Sequence, residues 1–99
     1  MAKIIIDAGH GGSDPGAVNG NIYEKDFNLK AAEYIYNRLK DLGIPTEITR
    51  TTDVDLPKNE RIEKIKSLYE PSSDVILISN HINSGGGTSF YVVNSSTGV

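Results

Sequence analysis

Two short runs of consecutive apolar residues, KIII at 3–6 and VILIS at 75–79, constrain this chain more than any other feature. Strands buried on both faces read as continuous apolar runs, whereas strands with one wet face alternate. Each run therefore predicts a buried strand, and the second, being the stronger, a central one. Between them the spacing turns helical. Phe27, Ala31, Tyr34, Ile35, Leu39 and Leu42 recur every three or four residues, which predicts a helix over 26–42 with Asp26 at its start and Gly43 and Pro45 as its stop. Ile62, Ile65, Leu68 and Tyr69 mark a second helix over 58–70, bounded by Pro57 and Pro71. PTEITR at 45–50 reads as a strand near a sheet edge, and SFYVV at 89–93 as a further strand after the break SGGG. Strands alternating with helices give an α/β class: a mostly parallel sheet with flanking helices. With two helices only, one sheet face is expected to stay uncovered.

The function classes narrow by composition. At 99 residues the chain supports one small unit. Its 13 acidic and 10 basic side chains leave a net charge of -3, and the bases are scattered among acids, so no nucleic-acid surface is expected. No run approaches the roughly 20 apolar residues of a membrane span, so no membrane insertion is expected either. The opening MAKIIIDAGHGG has no cleavable export pattern. Cysteine is absent, so any metal would have to be held by His, Asp or Glu.

Residues 8–23, AGHGGSDPGAVNGNIY, hold too many glycines and a proline for a regular element, and predict a long shaped loop. His10 lies just past the first strand run and His81 just past VILISN. In a parallel sheet these are the same edge, where open α/β sheets bind their ligands. Glu24, at the end of the loop, can fold back to that edge. Two imidazoles and a carboxylate match the three protein ligands of a catalytic zinc site, whose fourth position takes water or substrate. Hydrolysis of an amide is the reaction class such a set suits. From spacing alone the alternative stays open: histidines at strand ends often satisfy loop backbone, and a glutamate before a helix stabilises its first turn.

Other side chains carry two readings each. Asp7 would orient His10 from behind or end the first strand with a local backbone bond. Asn80 and Asn83 would face a substrate cleft or satisfy loop backbone. Arg50, past the 45–50 strand, would clamp a substrate carboxylate or pair with Asp53 or Asp55. Arg61, early in a helix between Glu60 and Glu63, reads as structural. The aromatic residues Phe27, Tyr34, Tyr36 and Tyr69 read as core or boundary. The glycine loop fits a phosphate cradle poorly, since no Lys-Ser or Lys-Thr pair follows at the required spacing and no helix opens directly after the glycines.

Three stretches, IIIDAGHGGSDPGAVNG, YEKDFNLKAAEYIYNRLKDLGIPTEITRTTD and DVILISNHINSGGGTSFYVV, closely resemble the zinc-dependent N-acetylmuramoyl-L-alanine amidases, the peptidoglycan amidases of autolysins, sporulation and division hydrolases and phage endolysins. The resemblance spans nearly the whole chain, with three separated motifs in the family's order. It implies that His10, Glu24 and His81 ligate Zn2+, that the substrate is the amide between N-acetylmuramic acid and L-alanine, and that Asn83 lines the cleft. Arg50 matches a family position of open role. The family fold implied is a six-stranded sheet packed by helices. Residues 1–99 are therefore expected to be the amino-terminal part of a single amidase catalytic domain, whose remainder would be its partner.

The family's second catalytic glutamate, the proton carrier, falls beyond Val99 on this alignment of motifs. A competing expectation follows: an inactive cell-wall-binding or regulatory fragment of the same fold. Removing a proton-transfer group lowers rates by about 10²- to 10⁴-fold. The expected place of action is the bacterial cell wall, reached by secretion or by phage lysis, and the expected partner is peptidoglycan or a muropeptide.

Overall fold

A computed structural model describes residues 2–70, 74–82 and 88–94. The elements in chain order are β1 (Lys3–Ala8), β2 (Val18–Asn19), β3 (Ile22–Tyr23), α1 (Glu24–Asp41), β4 (Thr46–Ile48), α2 (Lys58–Leu68), β5 (Val75–Ile82) and β6 (Thr88–Asn94). The larger sheet runs β4-β1-β5-β6. β1 pairs in parallel with β4 and with β5, and β5 pairs antiparallel with β6. Both apolar runs thus become inner strands, and the 45–50 segment becomes the edge strand its proline demands.

The connection order decides where the helices lie. The chain leaves β1 for β4 on one side, then crosses back past β1 to reach β5 on the other. Right-handed crossovers in opposite directions place their helices on opposite faces. Accordingly Ile4, Ile6 and Ala8 of β1 pack with Ala32 of α1, joined by Ile35, Leu39, Ile44 and Ile48. Ile5 packs with Ile65 of α2, with Val75 and Leu77. Each face carries one helix, so the expectation of an uncovered face fails: two helices suffice because the chain reverses direction across the sheet. The period-two alternation of β1 also assigns Asp7 to the α2 face, a placement that matters below.

Helix α1 begins two residues before the expected start, and Asp26 does not cap it. Tyr23 occupies the N-cap position without a side-chain bond. The first helical N–H groups are satisfied instead by the preceding loop, with Glu24 N donating to Ala17 O at 2.8 Å and Lys25 N to Pro15 O at 3.1 Å. Gly43, at φ +77°, ends the helix as expected. The buried stripe is rotated from the apolar pattern. Asn28 and Ala32 are fully buried, whereas Phe27, Tyr34 and Leu42 are 53%, 68% and 66% exposed. Ile35 and Leu39 pack as the pattern predicts, while in the first half of the helix Asn28 and Ala32 take the buried face one position past Phe27 and Ala31, and the reason for that asparagine lies in the site.

The loop also contains more order than its glycines suggest. Val18–Asn19 and Ile22–Tyr23 form a two-residue hairpin, with Gly20 at φ +62° in the first turn position. Among the described residues no helix is long and apolar enough to cross a membrane. The proline expected to stop α2, the SGGG break and the terminal tail lie outside the described residues.

Candidate metal centre

His10, Glu24 and His81 meet at the carboxyl edge of the sheet, in the crevice between β1 and β5 where the chain reverses its winding. Each residue arrives differently. His10 stands two residues past β1 with φ +61°, the one non-glycine among the described residues in the left-handed region, which histidine enters more readily than most side chains. Glu24 is the first residue of α1, aimed inward because loop carbonyls, not its own carboxylate, cap the helix. His81 lies within β5, not past it as its sequence position suggested. β1 pairing ends at Ala8 opposite Asn80, and β5 continues through His81 opposite Ser89 of β6.

One ligating atom from each of the three lies within 4.8 Å of the others. Glu24 Oε2 stands 3.2 Å from His10 Nε2 and 3.2 Å from His81 Nδ1. Donors bound about 2.0–2.2 Å from a tetrahedral ion are about 3.3 Å apart, a spacing that the two Glu24 separations match. The two imidazoles meet edge to face, with ring centres 5.1 Å apart. Glu24 is 5% exposed and engaged on both oxygens. Oε1 accepts the Ala17 N–H at 3.0 Å, and Oε2 accepts the Asn28 side-chain amide at 3.1 Å.

Glycine is required around the set. A Cβ on Gly9 would collide with the His81 ring, and one on Gly16 would stand 2.6 Å from His10 Cδ2 and 2.7 Å from Glu24 Oε1. The backbone approaches so closely on two sides that no side chain fits.

The remaining expectations divide. Asp7 does not touch the His10 ring. Its carboxylate accepts Thr49 Oγ1 at 3.0 Å, Ser79 Oγ at 2.7 Å and the Arg61 guanidinium. Period-two alternation turned it toward α2, so Asp7 positions Arg61, which in turn donates to Ala8 O at 2.7 Å and His10 O at 2.9 Å. Arg50 neither lines an open cleft nor pairs with an acid through a hydrogen bond. It is buried, and its guanidinium donates to the carbonyls of Ala8, Gly9, Lys25 and Thr52. Burial pulls it below its ordinary range. Asn80 is fully buried, not cleft-facing: its amide nitrogen donates to Asn28 O at 2.9 Å, and its Oδ1 has no partner among the described residues. Asn83 lies outside the described residues.

Two residues that the sequence did not single out complete the centre. Asn28, buried one turn below Glu24, donates to Glu24 Oε2 and to Gly9 O. Asp14 meets His10 Nδ1 at 2.8 Å, and that hydrogen bond is the main reason its carboxyl sits below the ordinary range. The glycine loop is itself tied down. Gly12 N donates to Asp53 at 2.7 Å, Ser13 to Asp55, and Lys25 bridges Asp53 at 2.7 Å and Gly12 O at 2.9 Å. Beside His10 a groove of about 370 Å³ opens, lined by Gly11, Ser13, Asp14, Asp55, Leu56 and Pro57.

The family model described as N-acetylmuramoyl-L-alanine amidase matches residues 4–98. The chain belongs to this family. The sporulation-specific N-acetylmuramoyl-L-alanine amidase of Bacillus subtilis is 39% identical over 92 residues, covering 91% of this chain and 34% of that protein. N-acetylmuramoyl-L-alanine amidase AmiC of Neisseria meningitidis is 36% identical over 98 residues, covering 93% of this chain and 23% of its own. Among solved structures, the catalytic domain of the amidase CwlV from Bacillus (Paenibacillus) polymyxa superposes with a TM-score of 0.71 at 34% identity, covering 84% of this chain and 46% of that one. An amidase from Clostridium difficile superposes at 0.69 with 33% identity, covering 89% and 48%. The chain thus spans less than half the length of these relatives. Their fold agrees with the α/β sheet described above.

Proposed function

We propose that this chain carries the zinc-holding part of a peptidoglycan amidase, hydrolysing the amide between N-acetylmuramic acid and L-alanine at the bacterial cell wall. The observation that carries the proposal is the convergence at the sheet's winding reversal of His10, Glu24 and His81, which offer ligand atoms within 4.8 Å of one another. Two imidazoles and one carboxylate form a donor set known for catalytic zinc. Zinc held there would supply a Lewis acid for the scissile carbonyl and a water acidified toward neutral pH.

The chain's own residues prepare the place. Asn28 and the Ala17 N–H hold the Glu24 carboxylate in one orientation. Arg50 and Arg61 fasten the carbonyls of Ala8, Gly9 and His10, so the backbone between β1 and the loop cannot drift. Gly9 and Gly16 leave the space between the rings clear. The groove beside His10 gives a muropeptide a surface to lie along. Coverage of under half of each relative supports reading residues 1–99 as the amino-terminal part of one catalytic domain.

Plasma spectrometry after zinc loading tests the metal: about one equivalent is expected, and less than a tenth of an equivalent sinks the proposal. Muropeptide digestion followed by mass spectrometry tests the reaction. Zinc uptake and muropeptide binding without release of the L-alanine end would favour the inactive, wall-binding reading instead.

A further inference from the structure

His10 has a carboxylate oxygen beside each of its two ring nitrogens. Nε2 faces Glu24 Oε2 at 3.2 Å, and Nδ1 faces Asp14 Oδ2 at 2.8 Å. A carboxylate only accepts, and since the contact to Asp14 is the shorter of the two, it is the one that takes the single proton of a neutral imidazole, on Nδ1. In neutral imidazole that leaves Nε2 with a lone pair directed at Glu24 and His81. We propose that Asp14 is a positioning residue, which locks His10 in the Nδ1–H form and thereby presents Nε2 as a ready donor atom. The proposal rests on the reading of His10, Glu24 and His81 as a zinc set.

The local chain is built to bring Asp14 back to His10. Gly11 and Asp14 exchange backbone hydrogen bonds of 2.8 and 3.0 Å, closing a tight turn over Gly12 and Ser13. Both positions of that turn are anchored from the 53–55 segment, through Asp53 and Asp55. The second carboxylate oxygen of Asp14 accepts the Gly16 N–H at 3.2 Å, which fixes the rotation of the group. The left-handed φ of His10 swings the imidazole toward this turn. Without an acceptor at Nδ1, imidazole in water favours the opposite tautomer, with hydrogen on Nε2, and that form cannot ligate through Nε2. A carboxylate behind a metal-facing histidine typically accounts for about 10- to 100-fold in metal affinity.

Asp14→Asn separates this role from loop capping. Its single amide oxygen can still accept the Gly16 N–H, which turns the NH2 group toward His10 and leaves Nδ1 without an acceptor. Long-range proton–nitrogen spectra of the metal-free chain at pH 8 read the tautomer directly, and competition against a chromophoric chelator reads zinc affinity. The expected result is an Nδ1–H imidazole at His10 in the parent, a switch toward Nε2–H in Asp14→Asn, and zinc binding weakened about 10- to 100-fold, with backbone amide shifts outside residues 9–17 unchanged. Asp14→Ala should give the same tautomer switch. An Nε2–H form in the parent, or an Asp14→Asn variant that binds zinc as the parent does, overturns the proposal. Because the tautomer is read without metal, a parent chain that takes no zinc overturns the zinc set itself, while the nitrogen shifts still decide whether Asp14 locks the ring.

Discussion

The side-chain amide of Asn28 donates to Glu24 Oε2 at 3.1 Å, one helical turn along α1, while its own residue is 1% exposed. A polar residue has therefore taken a core position of the helix to serve the carboxylate at its first turn. The same amide donates to Gly9 O at 3.0 Å, so one residue joins the helix, the glycine loop and the candidate ligand.

Replacing it should be felt twice. Asn28→Ala removes one of the donors to Gly9 O, which keeps Arg50, and one of those to Glu24, which keeps the Ala17 N–H, a loss of about 0.5–1.5 kcal/mol for the first hydrogen bond and about 1.5–3 kcal/mol for the charged second. Urea unfolding of the metal-free chain should show a lower midpoint, and zinc competition should show weaker binding on top of it. A variant with parental values in both would contradict the role assigned to Asn28.

Two glycines with almost the same backbone angle should respond differently to alanine. Gly16 has φ +68°, and a Cβ there meets His10 and Glu24 at under 3 Å, whereas Gly20 has φ +62° and nothing within 4 Å. Gly20→Ala should lose only the roughly 1–2 kcal/mol of left-handed strain and keep zinc affinity. Gly16→Ala should lose zinc binding as well, measured by the same chelator competition. Equal zinc affinities in the two variants would show that the close approach at Gly16 is unimportant.

Arg61 links α2 to the Asp7 carboxylate and to the carbonyls of Ala8 and His10. Arg61→Ala leaves a buried carboxylate with only the Thr49 and Ser79 hydroxyls, and breaking a buried pair this way loses about 3–5 kcal/mol. Arg61→Lys should recover little of it, because a single ammonium cannot reproduce a fork that serves three acceptors. Thermal melts followed by circular dichroism measure both. A lysine variant as stable as the parent would refute the fork argument.

Asp53 and Asp55 brace the glycine loop, and both carboxyls are held below their ordinary range. The Lys25 ammonium does most of this at Asp53, and the Ser13 hydroxyl does most at Asp55. A depressed carboxyl in the folded state adds stability that is complete above its unfolded value, near 3.9, and is lost as pH falls through the lower folded value. The loop should consequently loosen on acidification below about pH 4. Amide exchange at Gly12 and Ser13 reports it, and in an Asp53→Asn, Asp55→Asn double variant that acid-dependent step should be missing. Both acids lie at the surface, so raised salt should weaken the bracing at Lys25 as well.

Much of the layout is legible in the sequence. KIII and VILIS identify the inner strands because only fully covered strands are apolar at every position, and the histidines that follow them share an edge once the sheet is parallel. Gly43 and Pro45 end α1 where expected. What resists reading is whatever depends on contacts between distant segments. Whether Arg50 meets a substrate, an acid or four carbonyls is decided by where the 50–55 segment lies against β1, and no local pattern encodes that. The buried face of α1 departs from its apolar pattern at Asn28 because burial there serves a hydrogen bond, which hydrophobic periodicity does not register. Asp14 follows His10 by four residues, a spacing that suggests nothing until Gly11 and Asp14 close their turn.

The unusual backbone of His10 narrows what the position can become. Asn, Asp and His are the non-glycine residues that tolerate a positive φ, and of these Asp alone would replace the imidazole with an anionic oxygen donor. That exchange, His10→Asp, would keep the path of the chain but set a third carboxylate between those of Glu24 and Asp14, so the backbone permits it and the surrounding charge does not.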